Sequence, residues 1–297
     1  SPLLWDVVAV TTYMLVSLMF FYIGAIPDVA TVRDRSKGLK KSIYGVLALG
    51  WRGELRQWQH YEMTYLLLAA LATPLVISVH SVVSWDFAVS MVPGWHSTIF
   101  APYFVAGAIL SGVAMIIIVL LPIRTFYRLD ALITQRHFDM LCRMLIFMSL
   151  IVSYAYVVEA FIAWYSGNVF ERHAFYNRAF GEYGLLFWLM VFLNSILPLS
   201  LFSKRARLNL WYVYAVAIGV VIGLWIERFV IIVTSLSQDF NPYAWGSYTP
   251  TLVEWGIMLG SWGLFALLFI TLIKVLPVVA MSELKNQTRM QSKGAYE

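Results

Sequence analysis

Apolar residues fall in seven long stretches, roughly 3–26, 61–83, 99–123, 140–164, 181–203, 209–235 and 251–280, joined by short polar connections. A helix crossing the bilayer needs about 20 mostly apolar residues, and each stretch meets that length. The pattern predicts an all-α fold: a polytopic transmembrane helix bundle of seven spans over residues 1–281, followed by a polar tail over 282–297. Residues 43–58 are too polar for a span. Leu47, Trp51, Leu55 and Trp58 share one helical face there, with Arg52, Arg56 and Gln59 off it. This predicts an amphipathic helix near 43–58 lying on the membrane surface.

Composition supports the same class. The 297 residues are 61% hydrophobic and 12% charged, against about 45–50% and about 25% in soluble domains. A soluble enzyme, a nucleic-acid-binding module and a disordered chain are excluded. The 12 tryptophans and 17 tyrosines suit membrane–water interfaces. The single cysteine, Cys142, excludes an intrachain disulfide and a four-cysteine cluster.

The net charge of +5 reflects where the basic residues stand rather than an affinity for nucleic acid. Arg33, Arg35, Lys37, Lys40, Lys41, Arg52 and Arg56 follow the first stretch. Arg124, Arg128, Arg136 and Arg143 follow the third, Lys204, Arg205 and Arg207 the fifth, and Lys285, Arg289 and Lys293 the last. The opposite connections hold only Arg172 and Arg178. The basic side and the C-terminus are therefore expected in the cytoplasm. The first span then begins outside, which is expected of a chain that lacks an odd number of upstream helices.

Ionisable groups inside a bilayer are costly, so their placement is informative. Asp6, His80, Asp86, Glu159, Glu182, Glu227 and Glu254 fall in the outer halves of their spans, whereas Asp28, Glu62 and Asp139 mark the inner edge. Asp6 and Asp28 are separated by about 33 Å of helix and cannot share a site. Glu182 and Glu254 begin spans, where the helix dipole favours a carboxylate. Asp6, Tyr13, Ser17 and Gly24 form a polar and small stripe that faces other helices or a cavity. Gly219, Gly223, Glu227 and Thr234 form another, with an ion pair to Arg228 or another helix as the structural reading of Glu227. No two histidines stand mid-membrane as haem ligands, and His80, Asp86 and His96 lack a recognised zinc spacing. No metal site is expected.

His80 and Asp86 flank the end of the second span in HSVVSWDFAVSMVPGWHSTIF. Oxidising a quinol removes two protons with two electrons, and an outer pocket of His80, Asp86 and Asp6 has groups that can accept them. An interfacial histidine and a loop aspartate is the commoner reading of such residues.

The runs SPLLWD, FYIGAIPDVATVRDR, HSVVSWDFAVSMVPGWHSTIFAPYFVAGAIL and ERFVIIVTSL resemble the NrfD-like, polysulfide-reductase-type integral membrane subunit of bacterial alternative complex III. The resemblance covers essentially the whole chain. It implies a quinol-oxidising subunit of a respiratory or photosynthetic quinol:cytochrome c (or cupredoxin) oxidoreductase, inactive alone, in a bacterial inner membrane. The implied substrate is a quinol, menaquinol above all, and the chain itself would hold no haem, iron–sulfur cluster or metal. The implied partners are an iron–sulfur subunit, monohaem or multihaem c-type cytochrome subunits, a second homologous NrfD-like subunit and the lipid bilayer.

By the same resemblance, Asp6, His80 and Asp86 are the catalytic and quinol-binding residues, near the outer face. Trp85, and with it Trp5, would line the ring pocket, although packing or interface anchoring is the commoner role of such tryptophans. About three helices upstream, carrying a further pocket histidine, would be missing from the sequence. An alternative role is a proton path through Glu62, Asp139, Ser149, Ser153, Tyr156, Glu159 and Glu227. A purely structural anchor is a third.

Overall fold

The computed structural model describes residues 2–276, so the expected tail over 282–297 and the last residues of the stretch expected to reach 280 lie outside the described residues. The fold is all-α. The helices are α1 (Pro2–Arg35), α2 (Leu39–Leu47), α3 (Leu55–Ala88), α4 (Phe100–Phe126), α5 (Gln135–Tyr165), α6 (Val169–Phe180), α7 (Gly184–Phe202), α8 (Lys204–Leu208), α9 (Leu210–Ser237) and α10 (Leu252–Val275). Seven of them (α1, α3, α4, α5, α7, α9 and α10) are long and apolar enough to cross a membrane. They are the spans of a multi-pass membrane protein.

Two expectations need correction. The helix expected over 43–58 is instead α2, which stops at Leu47. Leu49 (φ 46°), Gly50 (φ 72°) and Gly53 (φ 77°) then take left-handed conformations that no helix continues through. Gln57 closes the turn, its Oε1 accepting from the N–H of Arg52 at 2.8 Å and of Gly53 at 3.0 Å. Leu55 and Trp58 therefore belong to α3, and the four apolar residues share no single helical face; Trp51 and Trp58 instead meet edge-on, with ring centroids 5.1 Å apart. The second correction is α6, in a connection read only as a loop. Asn168 starts it by accepting from the Phe170 N–H at 2.9 Å.

The described residues form two compact units, each considered separately. The first comprises the chain to Ala9 together with Val76–Tyr248. Its core is built from α4, α5, α7 and α9, where Phe100, Leu110, Ile117, Leu145, Val152, Leu201, Val213 and Val220 are buried. Lipid is as apolar as leucine, so close packing rather than water exclusion holds these helices together. The glycines of α9 show how close the approach is. A Cβ at Gly219 would lie 2.7 Å from Leu197 Cδ2, and one at Gly223 would lie 2.7 Å from Leu193 Cβ. At that crossing α7 takes one π-helical turn, Phe192–Ile196, a feature that redirects side chains within a helix.

The second unit comprises Val10–Leu75 and the chain from Thr249. Its helices bury almost none of the side chains in their most apolar windows among the described residues. Gly24 packs on the Tyr65 ring, where a Cβ would come within 3.1 Å. Thr251 and Glu254 form a capping box at the start of α10, as the N-terminal placement of Glu254 suggested.

Candidate functional site

Three polar clusters occupy the first unit, and they involve Asp6, His80, Asp86, Glu159 and Glu227 among the residues singled out in the outer halves of the spans, whereas Glu182 is exposed outside them and Glu254 belongs to the second unit. Asp6, in the second turn of α1, and Asp86, in the last turn of α3, are each half-buried. One carboxylate oxygen of each, Oδ1, is removed from solvent and has no hydrogen-bond partner among the described residues. The two carboxylates lie within electrostatic reach of each other. Buried acceptors are nearly always satisfied, so two orphaned oxygens in one small region call for a donor from elsewhere. His80, also half-buried, lies two turns before Asp86 on α3 and within electrostatic reach of Arg228. Trp5 and Trp85 are 67% and 50% exposed and point outward, so the ring-lining role is not visible in their positions.

The second cluster centres on Glu227, which has no exposed surface. Its Oε2 accepts hydrogen bonds from the Tyr156 hydroxyl on α5 and from Asn194 Nδ2 (3.4 Å) on the π turn of α7. Asn194 Nδ2 also donates to the Tyr156 oxygen at 2.9 Å, and the Ser149 hydroxyl donates to the Asn194 carbonyl at 2.5 Å. On the other side Arg228 Nη2 stands 3.2 Å from Glu227 Oε1, the ion pair considered from the sequence. The Arg228 guanidinium lies over the Phe104 ring, 3.8 Å from its centroid. Gly107 leaves room for it, since a Cβ there would lie 3.4 Å from Arg228 Nη2. Arg228 therefore stands between the Glu227 carboxylate and the Phe104 ring, a position that its adjacency to Glu227 did not reveal.

The third cluster was missed. Arg178 had counted only as one of two basic residues in the outer connections, yet it is 3% exposed. It donates to Glu159 Oε1 (2.7 Å), Thr234 Oγ1 (2.9 Å), Ser235 Oγ (2.6 Å) and the Gly94 carbonyl (3.0 Å). Glu171 Oε2 accepts from the Gly94 N–H at 2.9 Å, and Trp95 Nε1 donates to the Ile231 carbonyl at 2.7 Å. Together they fasten the loop that follows Asp86 to α5, α6 and α9. The available signal was the 174, 178 spacing of one face of α6, legible only once that helix is recognised.

The remaining path residues are not gathered with these. Asp139 sits at the other end of α5 from Glu159, held by Arg207 at 2.6 Å and Arg143 at 2.8 Å. Glu62 is exposed and belongs to the second unit. Ser153 donates to the Ser149 carbonyl at 2.7 Å, an intrahelical bond. Among the described residues no three His, Cys, Asp or Glu side chains are grouped to hold a metal ion.

The chain is similar to a protein from Halobacterium salinarum provisionally named as the membrane subunit of a dimethyl sulfoxide reductase, with 24% identity over 94% of this chain and 66% of the relative. It is also similar to a subunit of the selenate reductase from Mesobacillus selenatarsenatis, with 25% identity over 97% of this chain and 70% of the relative. The chain thus spans about two thirds of the length of the curated relatives it matches. The family model described as polysulphide reductase, NrfD, matches residues 1–238 of the 297, and the chain belongs to that family.

Proposed function

We propose that this chain binds and oxidises a quinol as the membrane subunit of a multi-subunit oxidoreductase in a bacterial inner membrane, and passes the electrons to a peripheral iron–sulfur subunit. The observation that carries the reading is the pair of buried, unpartnered carboxylate oxygens of Asp6 and Asp86 in an NrfD chain, with His80 on the same helix as Asp86. A quinol hydroxyl is a donor of the kind these oxygens lack. On oxidation each ring hydroxyl loses its proton, two electrons leave, and the ring becomes a quinone. Asp6 or His80 takes one proton and Asp86 the other, each passing it on toward the outer side, while both electrons leave to the iron–sulfur subunit. Once the acids have passed their protons on, the ring product carries only carbonyl acceptors, which ionised carboxylates cannot hold, and this favours its release.

The relatives' names refer to reductases of dimethyl sulfoxide and selenate. The runs from SPLLWD to ERFVIIVTSL favour a quinol:cytochrome c or cupredoxin oxidoreductase of the alternative complex III kind, with menaquinol as donor, c-type cytochrome subunits downstream and a second NrfD-like subunit alongside. The basic connections favour a cytoplasmic location for that side, with the quinol pocket toward the outer face. In the intact complex, Asp6→Asn is expected to lower quinol turnover at least about tenfold with normal assembly. Unchanged turnover removes Asp6 from the chemistry, and unchanged turnover after loss of Asp6, His80 and Asp86 together leaves only the anchor role.

A second reading, proton movement coupled to electron transfer, is favoured by the buried Tyr156–Asn194–Glu227 string and by the Glu159–Arg178 pair. Asp139, with both oxygens held by arginines, is a poor inlet.

A further inference from the structure

α2 is an amphipathic helix turned the opposite way from one in a soluble protein. Its Tyr44 side, with Ala48 just beyond its end, packs inward. Ala48 is fully buried against Val29 and Ala30, and the Tyr44 hydroxyl donates to the Val275 carbonyl at 2.9 Å. Its apolar side is uncovered: Leu39, Ile43 and Val46 are 77%, 50% and 75% exposed, and Leu49 beyond its end 68%. Leu39, Ile43, Val46 and Leu47 fall within about 100° of one another around the helix axis. The helix stands between α1 and α3, both of which cross the membrane, so it cannot stray far from the surface where they emerge.

One hydrogen bond ties α2 to α1. The Tyr22 hydroxyl, inside the apolar stretch of α1, donates to the Leu47 carbonyl at 2.8 Å. The C-terminal end of α2 is therefore tied to α1 at the level of Tyr22, near the end of its apolar stretch. Trp51, Trp58 and Tyr61 pack edge-on against one another beside it, an aromatic group of the kind found at that boundary. Cations surround the same element: Arg35, Lys37, Lys40, Lys41, Arg52 and Arg56 are all at least partly exposed. Only two acids, Asp34 and Glu54, lie in the same segment, and Asp34 is paired with Arg33 at 2.8 Å.

We infer that α2 and the turn after it form a binding surface for anionic phospholipid, with Leu39, Ile43, Val46 and Leu49 in the acyl boundary and the surrounding lysines and arginines on the lipid phosphates. Charge complementarity selects anionic headgroups. The uncovered apolar face calls for acyl chains, which a free phosphate ion does not supply.

The test uses the intact complex carrying Val46→Cys in a Cys142→Ala background, labelled with an environment-sensitive fluorophore and reconstituted in vesicles. Lipids brominated near the glycerol end of the acyl chain are expected to quench the label. A label untouched by brominated lipid, or one that crosslinks to another protein subunit instead, overturns the proposal. Competition between phosphatidylglycerol and phosphatidylcholine for the complex reads the charge. Each surface-held cation is worth roughly fivefold in preference for anionic lipid. Lys37→Gln/Lys40→Gln/Lys41→Gln is therefore expected to lower that preference on the order of 100-fold, while the label stays quenched. An unchanged preference overturns the headgroup assignment. Displacement of phosphatidylglycerol by inorganic phosphate alone also overturns it, in favour of a free-anion site.

Discussion

Replacing Arg178 by methionine strands Glu159, whose side chain is only 14% exposed, beside an apolar group. Deleting one member of a buried ion pair costs about 3–5 kcal/mol, because the remaining charge has neither water nor a partner. The Gly94 carbonyl and the Thr234 and Ser235 hydroxyls lose the same donor. Glu159→Gln is milder, at about 1–3 kcal/mol, since Arg178 keeps those three acceptors. The double variant Arg178→Met/Glu159→Gln should cost less than the sum by about 2 kcal/mol, the part of each single loss that comes from stranding the other charge. The assay is thermal unfolding of the purified complex in detergent, followed by a signal from this subunit. At ~2–4 °C per kcal/mol for a unit of this size, Arg178→Met should unfold roughly 10 °C earlier. Turnover should fall with it, because Arg178 fastens the loop that follows Asp86. Strictly additive losses, or an Arg178→Met cost under about 1 kcal/mol, would show that the pair is not a buried clamp.

Other substitutions separate the clusters. Glu227→Gln keeps an acceptor for the Tyr156 hydroxyl and should cost within about 1 kcal/mol, whereas Glu227→Ala leaves Tyr156 and Asn194 without that acceptor and opens a cavity, for about 2–5 kcal/mol; denaturant midpoints of equal size for both would contradict this. Gly223→Ala forces a methyl against Leu193 and Asn194 and should destabilise by about 1–3 kcal/mol, measured by unfolding in detergent, with Gly246→Ala, in open space, near zero. Asp139→Asn should cost only about 1 kcal/mol, since Arg207 keeps the Leu201 and Phe202 carbonyls, and should leave quinol-linked proton release unchanged. Loss of that release would return Asp139 to the proton path.

The spans were legible because each carries an uninterrupted apolar stretch, and length alone decides that a bilayer can hold it. What failed was punctuation. Gly50 and Gly53 divide α2 from α3, yet the apolar spacing of Leu47, Trp51, Leu55 and Trp58 looks continuous when the glycines are not weighed. The stripe of Gly219, Gly223 and Glu227 on α9 was readable because small residues at steps of four mark a close helix approach. Asn194 was not, because a π turn shifts which residues face inward and no residue type announces it. Arg178 was misplaced for a related reason: a basic residue in a connection reads as solvated unless that connection is itself a helix with an inner face. Asp6, His80 and Asp86 were visible as rare ionisable groups at span ends, but their assembly in one unit depends on how α1 and α3 pack, which spacing along the chain does not encode.

A map of the intact complex with a bound quinone analogue decides whether quinol docks at Asp6 and Asp86. A ring oxygen is expected within about 3 Å of a carboxylate oxygen of Asp6 or Asp86, with His80 at the same pocket. An analogue bound at full occupancy elsewhere, with both aspartates satisfied by protein donors from other subunits, would contradict it.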